Sequence, residues 1–235
     1  NIYDLNFIDT SEITNMSWLF EDVRHNFDVS KWDVSNVTNM SAMFYYCKFF
    51  DCDLSNWNVS NVTDMHALFY ECNKFTGKGL ENWDVSAVTD MHYMFYKCKT
   101  FNCDLSNWDV SNVKDMMWMF SECKNFNCDL SNWDVSKVTN MDNMFNSCWK
   151  LASLDLSSFN TSAVTSMESM FNSCSSLTSL NLSSFDTSMV TNLWMLFDDC
   201  KSLTSLILGP NFFKASYNYV DFSYSTQWTN DTVVT

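Results

Sequence analysis

Apolar and polar positions alternate along this chain in a rhythm that repeats many times. In one unit, Met65, Leu68, Phe69 and Cys72 fall at i, i+3, i+4 and i+7, the spacing of one face of a short helix of about two to three turns. Thr63 stands where an N-cap belongs, and Asp64 suits the positive end of a helix. Three residues past each cysteine comes a further large apolar residue: Phe50, Phe75, Phe101, Phe126, Leu151, Leu177 and Leu203. A short alternating segment follows, clearest as Leu154-Asp155-Leu156 and Leu180-Asn181-Leu182. Alternation predicts a strand with one face inward. Each unit therefore predicts one strand and one helix.

The units recur at a fixed period. WDVSNVTNM starts at Trp32, with copies at Trp57, Trp83, Trp108 and Trp133 and looser copies at Phe159 and Phe185, in steps of 25 or 26 residues. Degenerate copies flank the run at Ile8 and at Leu203 to Phe213. Such self-similarity is the signature of a stacked repeat architecture. The arithmetic predicts an α/β solenoid: a leucine-rich-repeat-like, right-handed coil of about eight strand–helix turns with a parallel stacked sheet. Residues 1–213 form that array, including a degenerate first turn over 1–12. Residues 214–235 are expected to be a C-terminal cap and tail, in which Tyr217, Tyr219, Phe222 and Tyr224 alternate as an edge strand would.

The phrases FNCDLSNWDVSNVKDMMWMFSEC and LTSLNLSSFDTSMVTNLWMLFDDC resemble the 26-residue surface-protein repeat of BspA-like leucine-rich-repeat proteins, over about residues 8 to 213. The resemblance implies a parallel solenoid with a surface or interaction role. It implies no catalytic residues.

Composition narrows the function. With 13 Lys and Arg against 28 Asp and Glu, the net charge is −15. The chain lacks the clustered cations that nucleic acid or an anionic membrane requires. No apolar run reaches the roughly 18 to 20 residues that span a bilayer, so no membrane insertion is expected from this segment. No charged-then-apolar leader follows Asn1, and the expectation is a targeting segment trimmed or absent.

Ten cysteines raise the question of disulfides. Cys47, Cys72, Cys98, Cys123, Cys148, Cys174 and Cys200 form one series, each closing the apolar face of its unit. Cys52, Cys103 and Cys128 occupy an inward position that Leu154 and Leu180 share. Both series exchange with apolar residues, so buried free thiols are expected, which suits a reducing compartment. Intra-turn bridges such as Cys47–Cys52 and a cysteine-rich metal site are the alternatives.

Two acidic series run in register. Asp33, Asn58, Asp84, Asp109, Asp134, Asn160 and Asp186 each precede a serine by two residues and read as local turns. Asp28, Asp53, Asp104, Asp129 and Asp155 lie between inward strand positions, with Gly79 interrupting the series. Carboxylates stacked about 5 Å apart repel, so solvent, a basic partner or Ca²⁺ at Asp104, Asp129 and Asp155 should offset the charge. No other metal site and no cofactor is expected.

The series Trp32, Trp57, Trp83, Trp108, Trp133, Phe159, Phe185 reads as a core stack. Trp18, Trp118, Trp149, Trp194, Tyr45, Tyr46, Tyr70, Tyr93 and Tyr96 fall outside that register, several on outward positions, where such residues mark a contact surface or reflect incidental exposure and contacts between turns. His66 and His92 are 26 residues apart, at a place held elsewhere by Ser17, Ser41, Met117, Asp142, Glu168 and Trp194. They read as a variable surface position, although two stacked imidazoles could grip a transition metal. Every Ser, Asp or Cys that could serve as a nucleophile recurs several times, so no enzyme is expected.

The sequence thus predicts a rigid, surface-displayed or extracellular module that binds a protein or glycan. Asp28, Asp53, Asp104, Asp129, Asp155, Trp118 and Trp194 are its candidate contacts. The rival is a structural or scaffold component of a large assembly such as a virion, or an intracellular scaffold.

Overall fold

The computed structural model describes residues 2–212 and the backbone of Val233–Val234; the alternating segment Tyr217–Tyr224 lies outside them. Among the described residues there is no α-helix, and the regular elements are few. Strands β1 (Tyr3–Asp4) and β2 (Phe27–Asp28) pair in parallel. Strands β3 (Ser179–Leu182), β4 (Ser205–Leu208) and β5 (Val233–Val234) form a second parallel sheet in the order β3-β4-β5. One turn of 3-10 helix spans Leu80–Asn82.

The strand–helix unit of an α/β, leucine-rich-repeat-like solenoid is therefore incorrect. An α-helix bonds each N–H to the carbonyl four residues back. Here the N–H groups alternate between two other partners. Met40, Ala42, Phe44 and Tyr46 donate to Asp64, His66, Leu68 and Tyr70 of the next repeat, at 2.8–3.0 Å. Between them, Met43, Tyr45 and Cys47 donate to Met40, Ala42 and Phe44 at 3.0–3.1 Å. The segment is a run of tight turns, laddered to its neighbours on either side.

Backbone angles show how the turns are made. Sixteen non-glycine residues have φ between 51° and 62°, in pairs four residues apart: Ala42 and Tyr46, Ala67 and Glu71, Tyr93 and Lys97, and so on. A positive φ at the third residue marks a type II turn. Each such residue costs on the order of 1 kcal/mol, which the inter-repeat hydrogen bonds must offset. Two successive turns place Met65, Leu68, Phe69 and Cys72 on one inner side, all at 0% exposure. The inward positions are as expected, and the helix is not, because a helix face and a turn pair share that spacing.

Successive repeats stack in parallel, in register. Asn15, Asn39, Asp64, Asp90, Asp115, Asn140, Ser166 and Asn192 bridge one to the next along the whole array. In the predicted strand segments regular pairing survives only at the two ends. Leu154 and Leu156 are buried around an exposed Asp155 without forming a strand. In the middle coils side-chain carbonyls take over, as Asn26 Oδ1 accepts from the Asp51 N–H at 3.1 Å and Asn102 Oδ1 from the Asn127 N–H at 3.0 Å.

Columns of like residues, one from each repeat, fill the interior. The rings of Phe20, Phe44, Phe69, Phe95, Phe120, Phe145, Phe171 and Phe197 follow one another at 5.5–5.9 Å, within 10° of parallel. Each such pair adds about 0.5–1.5 kcal/mol beyond its buried area. The tryptophan column is also hydrogen-bonded. Indole Nε1 of Trp57, Trp83, Trp108 and Trp133 donates to the carbonyl of Val29, Leu54, Leu80 and Leu105, at 2.8–3.2 Å. Phe185 has no such donor, and there the Ser184 hydroxyl donates to the Leu156 carbonyl at 3.1 Å. All ten cysteines are free, nine of them buried and Cys103 half-buried.

Gly79 explains the gap in the acidic series. Its φ is +95°, and a Cβ there would lie 2.2 Å from the Ser55 nitrogen, so no aspartate fits. The Glu81 carboxylate accepts its N–H instead, at 3.0 Å.

Candidate functional site

The strand-side carboxylates are engaged locally. Asp28, Asp53, Asp104, Asp129 and Asp155 each accept the backbone N–H of the serine two residues on, at 2.9–3.1 Å. Asp53 also pairs with Lys78 at 2.7 Å. The Ser30 backbone N–H holds the Asp28 carboxyl down to about 2. Shallow grooves run along this face, one lined by Asp104 and Asp129, another by Asp155 and Asn181, a third by Asp28 and Asp53. The Asp33 series makes the same turns, for example Asp109 to Ser111 at 3.0 Å and Asp134 to Ser136 at 2.9 Å. Charge repulsion along both series is thus offset first by each residue's own turn.

The turn segments build a different surface. Tyr45, Tyr70 and Tyr96 form a column, with ring centroids 4.5 Å and 4.7 Å apart. Trp18 joins one end at 5.1 Å from Tyr45. Trp118 closes the other end, 5.9 Å from Tyr93 and 5.7 Å from Tyr96. Tyr93 lies 5.8 Å from Tyr70, so the rings form one continuous strip over five repeats. The tyrosines and Trp118 are half-buried, and Trp18 is exposed. Lys97 sits beside the strip, 3.3 Å from Glu71 and 3.6 Å from Glu122, with its ammonium 4.9 Å from the Tyr96 ring centroid. Burial pushes the Tyr70 phenol well above its ordinary value. The structure thus brings Trp118 together with four of the tyrosines that the sequence singles out. Trp194 is exposed at 48% and lies three repeats further, in the column of His66 and His92.

Those histidines adjoin the strip, His92 lying 5.6 Å from Tyr93. Their rings stack at 4.7 Å with 2° between planes. His66 Nδ1 is 2.8 Å from Asp64 Oδ1, and His92 Nδ1 is 2.6 Å from Asp90 Oδ1. The same carboxylates accept the backbone N–H of each histidine at 3.0 Å. The Asp90 hydrogen bond raises the His92 imidazole above its ordinary value. Burial works against Asp90, but the His92 hydrogen bonds outweigh it and lower that carboxyl. Asp115, with Met117 in place of a histidine, is raised by burial. Among the described residues, His66, Asp90 and His92 are the grouping near enough to hold a metal, one donor atom of each lying within 4.8 Å of the others. The histidine column is legible in the sequence, whereas the pairing of each imidazole with a carboxylate emerges only in the structure. Its one signal in the sequence is an Asp two residues before each His.

Among the described residues no helix is long and apolar enough to cross a membrane. No curated protein matches the chain. The profile of one repeat-containing family matches it three times, over residues 1–81, 67–153 and 133–232. Between them these matches span nearly all 235 residues, and the chain belongs to that family, described as Mycoplasma protein of unknown function, DUF285.

Proposed function

We propose that the chain is a non-enzymatic interaction module that binds a protein partner through the Trp18–Trp118 aromatic strip. The observation that carries this reading is the strip itself, in which Tyr45, Tyr70 and Tyr96 stack at 4.5–4.7 Å in a half-exposed column. Tyrosine and tryptophan give large contact area at low entropic cost and dominate binding hot spots. Their faces are spent on one another, and the Tyr96 hydroxyl donates to the Glu122 carboxylate at 3.3 Å. A sugar ring stacks on open aromatic faces, so the arrangement favours a protein over a glycan. The Asp104 and Asp129 face plays the smaller part, because its carboxylates already serve turns. The resemblance to BspA-like repeats supports display on an outer surface.

The test is site-specific photo-crosslinking on the full chain, with the probe placed in turn at Tyr70 and at Asp104, in extracts of the native source. The reading expects one partner captured from Tyr70, competed by unlabelled chain and no longer competed by a Tyr70→Ala/Tyr96→Ala variant. Capture from Asp104 alone would move the contact to the acidic face and defeat the proposal.

A further inference from the structure

We propose that His66 and His92 form a binding site for a transition metal ion of the Zn²⁺ class, with Asp64 and Asp90 holding the two imidazoles from behind. Each imidazole has its Nδ1 on a carboxylate, Asp64 at 2.8 Å and Asp90 at 2.6 Å. That contact places the proton on Nδ1 and leaves the Nε2 lone pair free for an ion. A carboxylate behind the imidazole is also the usual second shell of a metal-binding histidine, where it fixes the tautomer and strengthens the donor. Both carboxylates stay behind the rings, on the Nδ1 side, and water completes the ion's coordination. Two imidazole nitrogens suit Zn²⁺ and its neighbours, and not Ca²⁺, which takes oxygens.

The array places this pairing with care. Where Ser41 or Trp194 replaces the histidine, the residue two before it is Asn39 or Asn192. Asp64 and Asp90 replace asparagine where the two histidines stand. Asp115, two residues before Met117, is the one further aspartate of this ladder, so an aspartate does not require a histidine, while both histidines have one.

The geometry requires one adjustment. Two nitrogens on a tetrahedral Zn²⁺ lie about 3.3 Å apart, whereas the ring centroids here lie 4.7 Å apart and the rings are parallel. The imidazoles must tilt toward each other. They sit on the outer surface with 28% and 27% of their side chains exposed, outside the packed core, and have room to do so. The bound ion would clip two adjacent repeats together.

The experiment is calorimetric titration of the chelator-treated full chain with ZnCl₂, with melting temperature followed in parallel. One equivalent per chain and a raised melting temperature are expected. His66→Ser/His92→Ser should abolish both effects, and its fold is safe because Ser17 and Ser41 already occupy this position. Asp64→Asn, also native to the ladder at Asn39, should weaken binding by about 10–100-fold. The double variant keeps all ten cysteines, so one-equivalent binding that survives in it would place the ion on thiols and overturn the proposal. Failure of the unaltered chain to bind Zn²⁺ or Cu²⁺ would overturn it equally.

Discussion

The thiol of Cys98 donates to the backbone carbonyl of Phe69, one repeat earlier, at 3.0 Å. That carbonyl also accepts the Cys72 N–H at 2.9 Å, closing a turn in its own repeat. The pattern recurs from Cys47 on Phe20 to Cys200 on Phe171, at 2.9–3.2 Å. Each cysteine is thus a small apolar residue that also ties its repeat to the one before. Cys98→Ala removes both the sulfur volume and the donor, and should cost about 1–2 kcal/mol, measured by the shift in denaturant midpoint. A loss below a few tenths would show that the thiol contact carries no weight.

The same burial predicts chemical silence. The thiolate is the reactive form, and burial pushes Cys47 up to about 12 and Cys52 up to about 11. Alkylation of native protein followed by intact mass should leave the Cys47 to Cys200 column unlabelled. After denaturation without reductant, all ten should label. Paired cysteines in protein from its native source would contradict the free-thiol column.

The tryptophan column offers a paired test. Trp108→Phe loses the 2.8 Å bond to the Leu80 carbonyl and should cost about 1–2 kcal/mol. The chain already supplies the remedy at Phe185, where Ser184 takes over the donor role. Adding Asn107→Ser should therefore recover part of the loss. No recovery in a double-mutant cycle would mean the hydroxyl contact is incidental.

Left-handed residues should respond to glycine in the opposite way from helical ones. Ser173 has φ 59°. Ser173→Gly relieves about 1–2 kcal/mol of backbone strain against about 0.5–1 kcal/mol of added chain entropy, so it should be neutral to slightly stabilising. Ser173→Val, branched at Cβ, should be destabilising. A helix at this segment would reverse the glycine result, and thermal melts decide it.

Stability should fall in acid. Asp28 is held down to about 2, and Asp104, Asp109, Asp134 and Asp155 are lowered by their serine hydrogen bonds. Their folded values lie below the ordinary 3.8, so the unfolded chain takes up protons first. The stabilisation is fully present above about pH 4 and is lost as pH falls toward 2. Urea midpoints across that window check it. A flat profile would mean the turn carboxylates do not favour the fold.

The period of 25 or 26 residues, the inward columns and the Asp-x-Ser turns follow from the sequence alone. Each depends on which residues face inward or on contacts two residues apart, and local pattern encodes both. The conformation of the Met65–Cys72 segment was not legible, because a helix face and two successive turns bury the same positions. Long-range bonding chose between them: the Ala67 N–H goes to His92 in the next repeat, at 2.8 Å, a partner outside any local window. Stacking also made the site, since His66 meets His92, and Tyr45 meets Tyr70, only when whole repeats lie in register. Sequence determined what each coil buries; the ladder between coils decided the backbone that buries it and the neighbours its outer residues acquire.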